Sequence, residues 1–187
     1  GNLRILHENR RPFKPDHGTI FAHGTAGGGW SIQLDGASRP ASWQGGTERS
    51  LSGAVELKAA DLGQQENAIE IIWTDARVAP VIFSHEPLDL TRETNAGFCF
   101  TLTTSKYAVI SHDPMLSIHS GAGRTEVGCL SRLGSHMCAG MTLTFEIPLR
   151  TLAEAGVDMS HFEGIELSAR APVRLTLSRL ALVMPNG

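Results

Sequence analysis

The chain has only one Tyr and three Trp among 187 residues, so it has few rings on which a sugar face could stack. Cysteine is scarce too. Cys99, Cys129 and Cys138 show no CxxC spacing, which removes zinc-ribbon and thioredoxin-like readings. Cys99 falls in a strand pattern, while the other two lie in a loop-like region where they could pair. No basic block exists. Sixteen Lys and Arg against nineteen Asp and Glu leave a net charge of −3, without the field that nucleic acid or an anionic membrane surface would need. No apolar run approaches the roughly 20 residues that span a bilayer. The start, "GNLRILHENRRPFKPDHG", has no apolar segment of the signal-peptide kind, consistent with a cytosolic protein or a piece of a longer precursor.

Period-2 alternation is abundant. Trp30, Ile32 and Leu34 share one face of "WSIQLD", and Ile69, Ile71 and Trp73 share one face of "NAIEIIWTDA". Val55 and Leu57, Val81 and Phe83, Phe98, Phe100 and Leu102, and Leu143, Phe145 and Ile147 repeat the pattern. In "VRLTLSRLALVM" the apolar face changes from Val173, Leu175 and Leu177 to Leu180, Leu182 and Met184. A β-bulge at Ser178–Arg179 absorbs this one-residue slip, which would otherwise exchange the faces of all that follows. Helix is rare. "PLRTLAEAG" (148–156) has Pro at its start and Gly156 past its end, and "KAADLGQ" (58–64) suggests one further turn. Nine or ten short strands between Gly, Pro, Asn and Asp turns imply an all-β, antiparallel jelly-roll β-sandwich with one or two short helices. Residues 1–18, with two prolines and a charge cluster, read as a linker or N-terminal extension, and 19–187 as a single domain.

The chemistry-bearing motifs are weak. "HGTAGGGW" (23–30) lacks the Gly-Lys-Ser/Thr ending of a phosphate loop and opens a strand, so a hairpin is expected there. The eight histidines are scattered and give no zinc-ligand spacing. A structural calcium needs only loop carboxylates and carbonyls; Asp35 and Asp158 are candidates that no pattern singles out. No serine lies in a nucleophile elbow, and no carboxylate pair has a recognisable setting, so no catalytic residue is assigned and no cofactor is expected. Trp30 and Trp73 share faces with aliphatic residues and belong to the core. Trp43, in "PASWQGG", has no such neighbours and is the candidate stacking platform. The run Asp89–Asn95 reads as a turn leading into a strand, with Asp89 bonding local backbone and Arg92 and Glu93 available to pair.

The block "GQQENAIEIIWTDARVAPVIF…EPLDLTRETNAGFCFTL" and the tail "IPLRTLAEAGVDMSHFEGIELSARAPVRLTLSRLALV" resemble the C-terminal domain of bacterial family-3 glycoside hydrolases of the exo-1,3/1,4-β-glucanase or β-glucosidase type. Gln65-Glu66, Trp73, Pro87, Asp89-Leu90 and Arg92-Glu93-Thr94-Asn95 carry the likeness, which extends over about residues 19–184. Two positions depart from the family pattern. Ser120 stands where a family Cys is expected and Met141 where a Trp is, so the resemblance implies neither that disulfide nor that aromatic contact here. It does imply a sandwich resembling carbohydrate-binding modules, galactose-binding-like, placed after catalytic domains that carry the nucleophile and acid/base. The expected role is a non-catalytic accessory domain, partnered by the catalytic domains of its own polypeptide, in a periplasmic or secreted enzyme. It would stabilise those domains and contact β-glucan, with Trp43, Glu70 and Arg92 as candidate sugar-binding residues. An autonomous carbohydrate-binding module is the alternative.

Overall fold

The computed structural model describes residues 4–5, 11–12, 18–22, 24–34, 37–38, 47–50, 52–61, 67–74, 79–93, 95–104, 114–130, 140, 142–169 and 172–184. Its strands are β1 (Arg4–Ile5), β2 (Arg11–Pro12), β3 (Thr19–Ala22), β4 (Thr25–Ala26), β5 (Ser31–Leu34), β6 (Ala37–Ser38), β7 (Thr47–Arg49), β8 (Val55–Asp61) and β9 (Asn67–Trp73). They continue with β10 (Val81–Leu88), β11 (Gly97–Thr104), β12 (Met115–Ser120), β13 (Gly123–Cys129) and β14 (Thr142–Pro148). Helix α1 (Leu149–Glu154) follows, then β15 (Phe162–Ser168) and β16 (Val173–Met184). The larger sheet runs β1-β14-β11-β16-β9-β8-β7, with β2 and β3 also on β16 and β4 on β3; the smaller runs β13-β12-β15-β10-β5-β6. The two face each other as an antiparallel β-sandwich, the expected architecture. Residues 1–18, read from sequence as a linker or extension, contribute β1 and β2 to the larger sheet.

The inward faces come from the alternating residues. Ile69, Ile71 and Trp73 are at most 1% exposed, and Trp30 is 2% exposed, so both tryptophans are core. Trp73 Nε1 donates to the Ala79 carbonyl at 2.7 Å, which removes the cost of burying its one polar group. Aromatic pairs lock the sheets together: Phe98 of β11 stacks on Phe162 of β15 at 5.3 Å, and Phe21 of β3 meets Phe83 of β10 edge-on at 6.5 Å. Such pairs add about 0.5–1.5 kcal/mol beyond the area they bury. The bulge lies where the periodicity places it. Thr101 pairs with Arg179 and Leu102 with Leu177, so Ser178 is the extra residue. Leu180 and Leu182 thereby join Leu175 and Leu177 in the main core.

Helix α1 follows Pro148 and buries Leu149 and Leu152; beyond it, Gly156 takes φ +98°. The turn expected over 58–64 is not formed over its described part. Lys58, Ala59 and Ala60 continue β8 against Glu70, Ile69 and Ala68, because a full ladder outweighs local helix preference; residues 62–64 lie outside the described residues. Cys129 ends strand β13 and does not lie in a loop. That strand buries no residue fully, so no apolar alternation announces it. Neither Cys99 nor Cys129 forms a disulfide among the described residues, and Cys138 lies outside them.

Candidate functional site

The outward face of the smaller sheet carries two polar rows that the strand registers align. Glu126, Ser117, Glu166, Ile82 and Gln33 form one, across β13, β12, β15, β10 and β5. Arg124, His119, Gly164, Ser84 and Ser31 form the next. These outward positions alternate with inward apolar residues, so the pattern that builds the core also builds this surface. Of these, Ser31, Gln33, Ile82, Ser84 and His119 border an open groove of about 510 Å³, together with Gly29, His85, Glu86, Pro87 and Glu163.

Glu166 organises one end. It is 3% exposed, yet both carboxylate oxygens are used: Oε1 accepts from His119 Nε2 and Oε2 from Arg124 Nε, each at 2.9 Å. Burial pushes its carboxyl up. The hydrogen bonds from His119 and Arg124, helped by the charge of Arg124, outweigh that and hold it below its ordinary value. Because a carboxylate only accepts, the proton of His119 is assigned to Nε2. Beside Glu166 in the ladder, the hydroxyl of Ser117 is buried without a hydrogen-bond partner among the described residues.

At the other end His85 lies against the Trp30 ring, centroids 4.9 Å apart, and its Nδ1 donates to the Glu86 carbonyl at 2.6 Å. Gly29 (φ +79°) leaves the space this imidazole needs: a Cβ there would come within 2.6 Å of His85 Nε2. Between the two ends, Ser31 and Ser84 share a hydroxyl–hydroxyl bond of 3.0 Å. Gly164 lets the backbone of β10 approach β15 closely, since a Cβ on it would lie 2.6 Å from the Phe83 carbonyl oxygen.

This arrangement presents groups that can exchange hydrogen bonds with hydroxyls and is poorly suited to cleaving bonds. A general acid needs a raised pKa, whereas Glu166 is lowered and has both oxygens engaged. Among the described residues no cluster of three His, Cys, Asp or Glu could hold a metal ion, and no helix is long and apolar enough to cross a membrane.

The residues singled out from sequence do not gather here. Trp43 and Asp35 lie outside the described residues. Glu70 is on β9 of the larger sheet, where it forms an ion pair with Arg174 Nε at 3.2 Å. Arg92 is exposed in the turn that Asp89 opens. That turn is closed by Asp89, whose Oδ1 accepts from the Thr91 amide (3.0 Å) and hydroxyl (2.6 Å), contacts that hold its carboxyl low. Asp158 does the same with Ser160, and its amide donates to Ser120 Oγ at 3.1 Å. Sequence reasoning misses the residues that do converge. His119 and Glu166 are 47 positions apart, and only strand order could have joined them.

A family model described as Exop_C, galactose-binding domain-like, matches residues 29–182. The chain belongs to this family. Solved structures share the fold. The extra C-terminal domain (X) of exo-1,3/1,4-β-glucanase (ExoP) from a Pseudoalteromonas species is 17% identical, with a TM-score of 0.64 over 90% of this chain and 94% of that one. Against the exo-1,3/1,4-β-glucanase ExoP of the same organism the figures are 14% and 0.63; the match covers 98% of this chain but only 22% of the enzyme. A family 11 carbohydrate-binding module from Clostridium thermocellum, in complex with a β-1,3-1,4-mixed-linked tetrasaccharide, is 12% identical, with a TM-score of 0.52 over 90% of this chain and 96% of the module. No curated protein sequence matches the chain. The Exop_C family and the ExoP domain agree with the resemblance drawn from the 64–102 block and the tail, and the carbohydrate-binding-module likeness agrees with the expected fold class.

Proposed function

We propose that this Exop_C domain is a non-catalytic accessory domain of an exo-acting β-glucanase of the family-3 glycoside hydrolase type, and that it holds a stretch of β-glucan in the groove on its smaller sheet. The groove carries the reading: it is open, about 510 Å³, and lined by hydroxyl, amide and imidazole groups over a rigid sheet. Sugar recognition needs such convergent polar groups on a pre-formed surface. The likeness to the C-terminal domain of ExoP, and to a module in complex with a mixed-linked tetrasaccharide, supports the substrate class. The lowered Glu166 supports holding over hydrolysis. Within the parent enzyme the domain stabilises the catalytic body and keeps glucan near it.

Affinity electrophoresis of the 187-residue chain through gels containing mixed-linkage β-glucan tests this. Retardation by glucan, without release of reducing sugar, is expected. Unretarded migration would remove the binding role and leave a scaffold, and glucan hydrolysis by the chain alone would overturn the non-catalytic assignment. Deleting the domain from the parent enzyme should lower its melting temperature.

A further inference from the structure

We propose that His119, held by Glu166 and Arg124, is the hydroxyl-reading residue of the groove, and that the groove selects an uncharged glycan over an acidic one. The proposal rests on the glucan reading above and adds to it a named contact and a charge preference. Glu166 takes the Nε2 proton of His119 on one oxygen and the Nε proton of Arg124 on the other. The imidazole is thus held from behind in one tautomer. His119 lines the groove and makes no other hydrogen bond among the described residues, so Nδ1 is left as an acceptor for a sugar O–H. Its neighbour in the ladder on β15 is Gly164, which adds no side chain, and beyond that comes Ser84, which lines the groove with His119. A sugar lying in the groove beside Ser84 can place one hydroxyl at His119.

The charges around this point decide the class of sugar. On β15 and the turn before it are Glu166, Glu163 and His161, the last two 3.2 Å apart. On β13 are Arg124 and Glu126, 3.9 Å apart. On β10 are His85 and Glu86. With neutral imidazoles, four carboxylates face one guanidinium among the described residues, and that guanidinium is already committed to Glu166. A uronate or sulfate would meet this excess without a spare cation among these groups to receive it, whereas a neutral glucan has no such penalty.

Calorimetric titration of the 187-residue chain with a β-1,3-1,4-linked glucan tetrasaccharide and with a tetra-uronate, together with histidine ¹⁵N spectra, tests the proposal. The expected results are binding of the glucan only and a shift of the His119 Nδ1 resonance on saturation. His119→Ala should weaken affinity about five- to tenfold, the scale of one hydrogen bond. Equal binding of the uronate, or glucan binding that leaves the His119 resonances unmoved, would overturn this inference while leaving the glucan reading intact. No glucan binding would overturn both. The spectra use the unaltered protein, so the test does not depend on how the variant folds.

Discussion

Arg124 Nε lies 2.9 Å from Oε2 of Glu166, and it brings a solvent-accessible guanidinium onto a carboxylate that is almost wholly buried. Glu166 needs that donor more than Arg124 needs an acceptor, because water can solvate only the arginine. Arg124→Met should therefore destabilise the chain by about 1–3 kcal/mol, the cost of leaving a buried charged oxygen unsatisfied. Arg124→Met/Glu166→Gln should recover part of the loss, since the charge goes with its partner. Urea unfolding of the single and double variants checks this through their coupling.

Acid sensitivity follows from the same carboxylate. The folded pKa of Glu166 lies below its ordinary 4.5, so the unfolded chain binds its proton first as pH falls. The stability it contributes is complete above about the ordinary value and is lost as pH drops through the folded value. Asp89 and Asp158, also lowered from 3.8, act in the same direction, but on exposed turns where solvent screens the effect. Unfolding free energies measured between about pH 6 and 3 should fall with acidification. Glu166→Gln should flatten that fall, and Asp89→Asn should change it little. Parallel curves for Glu166→Gln and the unaltered chain would show that Glu166 is not the group responsible.

The bulge makes a sharper claim about register. Ser178 Oγ donates to the Thr101 carbonyl at 3.1 Å at the point where β16 gains its extra residue. Ser178→Ala should cost only about 1 kcal/mol, one hydrogen bond. Deleting Ser178 removes the bulge and leaves strict alternation, in which Leu175, Leu177, Leu180 and Leu182 still share the inward face and Arg179 and Ala181 the other. That deletion should keep the near-ultraviolet circular dichroism of a packed core, as Ser178→Ala should; loss of the signal on deletion alone would show that the bulge does more than absorb the extra residue.

The bulge is legible in the sequence because apolar alternation is written locally, and the slip at Ser178 needs only neighbouring residues to be seen. The same holds for the core tryptophans, the Asp89 turn and α1. The site is not legible, for two physical reasons. Glu166 reads as an ordinary outward position of an alternating strand; its burial comes from Arg124 and His119, which arrive from other strands. Arg124 lies on β13, an edge strand without a buried face, so no hydrophobic period marks it. Charged residues in a distinctive block, Arg92 and Glu70, draw attention instead, yet one is a solvated turn residue and the other a partner of Arg174 on the opposite sheet.

Two glycines separate backbone strain from steric fit at the groove. Gly29 and Gly53 have nearly the same positive φ, +79° and +75°, but a Cβ at Gly53 would meet nothing within 4 Å, whereas one at Gly29 would meet His85 Nε2 at 2.6 Å. Gly53→Ala should cost about 1–2 kcal/mol for the left-handed conformation alone. Gly29→Ala should cost the same and in addition push His85 off Trp30, visible as a change in Trp emission and in the His85 ring resonances. The difference between the two variants in urea unfolding isolates the packing of His85. Equal losses, with His85 unmoved, would mean that the imidazole yields without cost and that Gly29 serves only the turn.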